Sequence, residues 1–458
     1  MANLIKKRVK EFDTPYTVRA AAKEGNAVTR LSMLIMGLGN LVHKQIIKGL
    51  LYLAIEVAYI LFMVRSGITN IQHLITLGGQ PQEEVWNEAK GIYEYTGGDM
   101  TILFLLYGIA TLFVTAAFLI AWHANVKSAY EVECRAKNGK HINNLKEDIA
   151  ALFDKKLHWT LLTPPWAGII VFTILPLIFM ICMAFTSYSK VDDHLTLFNW
   201  VGFKNFGTVL GMGNSIGKTF WSVLSWTLIW AVFATFLNYI LGMILAIVIN
   251  RKTTRVKGFW RFCFMLSAAI PQFVSLLLMR TMLKDNGLIN VLLQNAGLID
   301  SPLPFLTDAT WARVTVIVIN LWIGIPFTMM QVTGILQNIP GELYEAAKVD
   351  GAGPVTIFFK ITLPYMLFVT TPYLITTFTG NINNFNVIFL LTNGAPGPVG
   401  STAGKTDLLV TWLYKLTVDQ QYYNVGAVVG ILTFVILAIV SLVTYRNTGS
   451  YKNEEGFQ

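Results

Sequence analysis

Eight apolar blocks recur along the 458-residue chain, at approximately 46–64, 101–122, 159–185, 221–249, 259–281, 311–335, 365–390 and 423–445. Polar segments separate them. A bilayer core about 30 Å thick takes about 20 residues of helix, so each block reads as a membrane-spanning helix. The longer blocks tilt or extend beyond the membrane. Inside hydrocarbon only helices or closed barrels satisfy their backbone groups. The runs lack the period-two alternation of a membrane barrel. The pattern therefore predicts an all-α integral membrane protein with eight transmembrane helices.

Composition agrees, with 54% hydrophobic and 13% charged residues, about half the usual ~25% charge of a soluble domain. A single water-soluble core is excluded. The net charge of +9 raises the question of nucleic acid, and the location of the charge answers it. Of the 35 Lys and Arg, 24 lie before block one, between two and three, between four and five (counted through Arg261), between six and seven, and after block eight. The four alternate loops carry 8. By the positive-inside rule the first set is cytoplasmic, both termini included, as an even number of spans requires. The basic excess is a topology signal and calls for no nucleic-acid partner.

Cys134, Cys182 and Cys263 are widely spaced and the six histidines are scattered, so no disulfide framework or metal site is read. Basic residues up to Arg30 followed by apolar Leu31–Val42 imitate a secretory signal. His43, Lys44 and Gln45 follow where a small-residue cleavage site would stand, so the run reads as a retained amphipathic helix on the membrane surface. A composition boundary near residue 157 suggests four parts. These are a cytoplasmic N-terminal segment (1–45), two accessory spans with a cytoplasmic loop (46–158), a six-span core (159–445) and a cytoplasmic tail (446–458). Glu56, in the middle of block one, is costly in lipid. It reads as an ion or substrate contact or, more plainly, as an interhelical hydrogen bond or a partly protonated acid.

The connection between blocks six and seven, Ile339 to Pro364, reads as a short helix bounded by proline. Pro340 suits a first turn and Gly351 the left-handed conformation that ends a helix. Ala346 and Ala347 leave little bulk, while Glu345 and Asp350 offer carboxylates to basic groups. On physics alone a surface connector and a docking element fit equally. Glu345-Ala346-Ala347, then Gly351 after three intervening residues, then Ile361 and Leu363-Pro364 after nine more, resemble the EAA loop of ABC importer permeases. The resemblance implies that segment 339–364 is a coupling helix inserting into an ATPase subunit. Glu345 would be its polar docking contact and Gly351 its tight turn, with Ala346, Ala347 and Asp350 beside them.

The likeness extends to Asn320-Leu-Trp-Ile-Gly324-Ile-Pro-Phe327, Asn381-Ile-Asn-Asn384-Phe385, Leu391-Thr-Asn-Gly-Ala-Pro396 and Thr406-Asp-Leu-Leu-Val-Thr-Trp-Leu-Tyr414. These resemble MalF-type permease subunits of maltose and maltodextrin importers, over about 159–445 and in the eight-span plan. The resemblance implies a type I ABC importer permease fold, forming half of an alternating-access pathway in the bacterial plasma membrane. Its implied partners are a MalG-like second permease, two ATPase subunits holding ATP and Mg, an extracellular sugar-binding protein or lipoprotein, and membrane lipid. This chain would be no enzyme and hold no cofactor. Carried over by position, the sugar-lining residues are Asn320, Ile323, Gly324, Phe327, Asn381, Asn384 and Gln272.

The chemistry is sensible in itself, since amides satisfy hydroxyls without the desolvation cost of a charge. Helix–helix hydrogen bonding, about 0.6 kcal/mol per contact in membranes, is the plainer alternative for Asn381 and Asn384. Two features depart from the enteric pattern. The connection between blocks three and four is only about 35 residues, as in Gram-positive versions, and Phe327 and Ala268 stand where tyrosines are expected. The resemblance extends to subunits that carry galacto-oligosaccharides, which implies these as an alternative cargo, and an ion-coupled secondary transporter is the rival of another class. Gly211 to Thr219 imitates a phosphate-binding loop but has the wrong glycine spacing. Gly426 and Gly430 read as close packing within the chain.

Overall fold

The computed structural model describes residues 16–81, 83–191, 195–251 and 253–446. The chain divides into two compact units, Met1–Tyr188 with Asp192–Trp200, and Ser189–Val191 with Val201–Gln458. The predicted cytoplasmic tail, apart from Arg446, lies outside the described residues.

The first unit opens with three short helices, α1 (Val18–Glu24), α2 (Ala27–Leu31) and α3 (Leu38–Val42). Two long apolar helices follow, α4 (Ile46–Thr76) and α5 (Thr101–Lys137), then α6 (Leu145–Phe153) and the apolar α7 (Leu157–Met183). The amphipathic helix expected over 31–42 is broken between α2 and α3. Gly37 turns there with φ +85°, and a Cβ on it would lie 2.0 Å from Gly49 O. Buried polar groups hold the fold-back. Asn125 Oδ1 accepts from Gly37 N–H at 2.8 Å, and its Nδ2 donates to Ser32 O at 2.8 Å. Glu56 accepts from the Met36 N–H at 2.8 Å. This carboxylate thus accepts a hydrogen bond from the turn between α2 and α3.

Between α4 and α5 lies an antiparallel hairpin, β1 (Glu83–Asn87) and β2 (Ile92–Thr96), which the helix-dominated pattern did not predict. Trp86 and Tyr93 pair across it with ring centroids 5.0 Å apart, and Gly91 supplies a positive φ at the turn. Aromatic cross-strand pairing of this kind is a main source of hairpin stability.

The second unit is built around α9 (Ser215–Asn250), α13 (Ala309–Gln337), α15 (Leu363–Ile382) and α18 (Tyr423–Arg446). Shorter elements are α8 (Lys204–Leu210), α10 (Lys257–Ala269), α11 (Gln272–Met282), α12 (Leu288–Asn295), α14 (Gly341–Val349), α16 (Phe385–Leu391) and α17 (Leu409–Tyr414). Among the described residues seven helices are long and apolar enough to cross a membrane. The expected eighth, block five, is a bent pair whose arms Lys257–Ser267 and Gln272–Met282 meet at 76°. The cause is Pro271, which lacks an N–H and drives Ile270 to an extended ψ of 129°. Block seven is also interrupted, at Asn383–Asn384 between α15 and α16.

Several long helices contain one π turn, including Met63–Gly67 in α4, Phe233–Leu237 in α9 and Phe358–Thr362 leading into α15. Two apolar clusters organise the second unit. Trp226, Trp230, Val316, Ile319, Val387 and Leu408 form one, and Tyr239, Met243, Met329, Val332 and Met366 the other. Along α9 and α13 the stretch between these clusters, about 234–238 and 320–328, belongs to neither in full and leaves room for a cavity.

Candidate functional site

Close helix approach sets the geometry of that gap. On α9, a Cβ at Gly242 would lie 2.6 Å from Thr328 Cβ on α13; a Cβ at Gly324 of α13 would lie 2.6 Å from the Asn238 amide. Small residues of this kind let membrane helices pack backbone to backbone. The cavity beside them measures about 130 Å³. Its walls include Thr235 and Asn238 from α9, Asn320, Gly324 and Phe327 from α13, and Tyr373, Thr377 and Asn381 from α15.

Polar atoms converge here without any charge. Asn320 is 6% exposed, and its side-chain amide has no hydrogen-bond partner among the described residues. Asn381 donates Nδ2 to Thr235 Oγ1 at 2.9 Å, and its backbone carbonyl accepts from Trp230 Nε1 at 3.0 Å. Phe327 presents a half-exposed ring. Amides for hydroxyls and an aromatic face for a ring suit a neutral polyhydroxylated ligand.

Four of the seven sequence-nominated residues, Asn320, Gly324, Phe327 and Asn381, thus share one cavity. The other three lie elsewhere. Ile323 faces the Trp226–Val316 cluster. Asn384 caps α16, its Oδ1 accepting from Val387 N–H at 3.3 Å, because the helix break leaves that donor without a partner. Gln272 is exposed in the first turn after Pro271. The side chain of Ala268 lies outside the described residues. Gly324 contributes space more than contact. The sequence reading predicted α9 as a span but nominated none of its residues; the signal was present as Asn238 within that apolar block.

The predicted docking loop is the second candidate. α14 buries none of its residues; Glu345 and Ala346 are exposed and Val349 is 88% exposed. Its end follows the expected glycine logic. Gly351 has φ +77°, its N–H donates to Lys348 O at 3.0 Å, and Ala352 N–H donates to Ala347 O at 2.9 Å, which satisfies the last carbonyls. Tyr344, not singled out from sequence, joins this helix to the next span through a 3.2 Å hydrogen bond between its hydroxyl and Thr362 Oγ1.

Two sequence decoys are resolved. The Gly211–Thr219 segment is a helix start, with Asn214 Oδ1 accepting from Gly217 N–H at 2.7 Å. Gly426 packs within the chain, since a Cβ there would lie 2.6 Å from Thr417 Cγ2.

Comparison with known proteins agrees with this layout. Residues 238–448 match the family described as "Binding-protein-dependent transport system inner membrane component". The maltodextrin transport system permease protein MdxF of Bacillus subtilis (strain 168) is 34% identical over 437 residues, covering 93% of this chain and 96% of that one. The galactooligosaccharides transport system permease protein GanP of the same organism is 34% identical over 432 residues, covering 93% and 99%. A solved bacterial ABC transporter involved in the import of the acidic polysaccharide alginate superposes with a TM-score of 0.53. That match is 23% identical and covers 65% of this chain and 96% of that one, a likeness of fold.

Proposed function

The chain belongs to the binding-protein-dependent permease subunits of ABC importers, and from that premise we propose that it carries maltodextrin or a closely related oligosaccharide into a bacterial cell. The observation that carries this reading is likeness over nearly the whole chain to permeases named for such sugars. The chain is a transport subunit and not an enzyme; it makes and breaks no covalent bond. In this proposal a second permease completes the pathway, two ATPase subunits hydrolyse ATP, and an extracellular binding protein delivers the sugar. The Lys/Arg distribution supports cytoplasmic placement of α14 and of both termini. Residues 159–445 would form the core, with the two preceding spans accessory to it.

The geometry suggests how force reaches the sugar. The exposed α14 offers Glu345, Ala346, Ala347 and Asp350 to an ATPase cleft, with Gly351 fixing its end. Tyr344 ties α14 to Thr362, at the root of the span that carries Asn381. Thr362 and Asn381 are 19 residues apart, about 29 Å at 1.5 Å per residue. A displacement of α14 would thus pass along one helix to the cavity wall. Asn320, Asn381 and Phe327 would hold the sugar during the exchange between outward and inward states.

The test uses the whole importer reconstituted in vesicles. Uptake should be ATP-dependent, and an oligosaccharide screen should return maltodextrins or galacto-oligosaccharides. Glu345→Ala should lower both ATPase association and sugar-stimulated hydrolysis. If both stay at the wild-type level, the coupling role of α14 is wrong.

A further inference from the structure

Asn238 stands on α9, the cavity wall that supplied none of the residues nominated from sequence. It is 7% exposed. Its Nδ2 donates to Ala234 O at 2.7 Å. Because a carbonyl accepts only from the nitrogen end, that bond fixes the amide orientation. Oδ1 must then point away from Ala234, and it is buried with no hydrogen-bond partner. The amide packs on Gly324, where a Cβ would lie 2.6 Å from both Oδ1 and Nδ2, and Asn238 is one of the residues that line the cavity.

A purely structural role explains half of this side chain. Nδ2 satisfies a helix carbonyl, but a buried acceptor left without a donor is costly. An apolar side chain of similar size would avoid that cost. Asn238 also follows directly on the π turn Phe233–Leu237, a feature that recurs at functional sites because it changes which way the next residues point. Thr235 of the same turn holds Asn381. Asn238 and Thr235 thus face the cavity from α9 together.

We infer that Asn238 Oδ1 accepts a hydrogen bond from one hydroxyl of the transported oligosaccharide, making α9 a recognition wall of the cavity. This rests on the oligosaccharide reading above. The donor is a neutral hydroxyl, which a carbonyl acceptor can bind in a site without charge. Asn320, beside Gly324 on the facing helix, supplies a second unpaired amide to the same ligand.

The experiment compares mono-deoxy analogues of maltotriose and of galactotriose in the reconstituted importer, for the wild type, Asn238→Leu, Asn238→Ala and Asn238→Asp. In the wild type, removing the hydroxyl that Asn238 reads should lower transport efficiency about five- to tenfold, the effect of one hydrogen bond. Asn238→Leu should abolish that penalty and leave the other deoxy positions as they were. Asn238→Asp is isosteric; in its protonated form it can still donate to Ala234 O and offer an acceptor, and should then retain the penalty. Asn238→Ala carries the same comparison if the leucine variant fails to assemble. An identical deoxy profile in the wild type, the leucine variant and the alanine variant overturns the inference while leaving oligosaccharide transport standing. Absence of uptake of either parent sugar by the wild type overturns both.

Discussion

Replacing Gly351 isolates a single physical effect at the end of α14. Its φ of +77° lies in the left-handed region, yet a Cβ there would meet nothing within 4 Å. Alanine therefore introduces no clash. Its whole cost is the left-handed conformation, about 1–2 kcal/mol for a residue with a side chain, or about a 5- to 30-fold loss in the population of the intact helix end. Three bonds depend on that end: Asp350 N–H to Ala346 O, Gly351 N–H to Lys348 O and Ala352 N–H to Ala347 O. A nine-residue helix is too short to persist in water unaided, so fraying should reach Glu345. The assay is purification of the full importer, reading ATPase subunits retained and sugar-stimulated hydrolysis. Coupling should fall in the order glycine, asparagine, alanine, valine, because asparagine tolerates the left-handed region and a β-branched residue does not. Wild-type coupling in Gly351→Val, or asparagine performing no better than alanine, would refute the reasoning.

Four further outcomes follow from contacts in the structure. Gly324→Ala forces a methyl against the Asn238 amide, an overpacking cost of about 1–3 kcal/mol; thermal unfolding of the purified complex should drop, and adding Asn238→Ala should recover part of the loss. Tyr344→Phe removes the bond to Thr362, worth about 1 kcal/mol, and should lower sugar-stimulated hydrolysis while ATPase subunits still co-purify. Glu56→Gln keeps an acceptor for the Met36 N–H and should transport normally, whereas Glu56→Leu should destabilise by about 1–3 kcal/mol; loss of transport in a stably folded glutamine variant would instead point to an ionic role. Asp407 is fully buried and pairs with Lys415 at 2.7 Å, so Lys415→Met should cost about 3–5 kcal/mol by stranding a buried charge, read as loss of folded protein in a detergent-melting curve.

The long spans were legible because a block of apolar residues has one economical solution in lipid, and seven of the eight appear as helices long and apolar enough to cross a membrane. Block five shows where composition fails: its residues are apolar throughout, yet Pro271 turns the chain by 76°. The hairpin before α5 was hidden because two five-residue strands carry little signal beside helices of about thirty. Within the cavity, amides in α13 and α15 stood out through their family pattern. Asn238 did not, because its meaning lies in the distance to Gly324, 86 positions away in sequence. Asn384 illustrates the converse, since an asparagine near a ligand site and one that caps a helix break look alike until the break is seen.

A π turn is an α-helix carrying one residue too many. In α9 that surplus sits at Phe233–Leu237, with Trp230 anchored in one apolar cluster and Tyr239 and Met243 in the other. Each residue of a helix advances about 100° around its axis. Passing the surplus along by one position would therefore rotate a single residue by that angle while the flanking stretches keep their register. Thr235 lies inside that turn and Asn238 directly after it, between the two anchors. The wall could then change which groups it shows to a sugar with both ends of the helix held still.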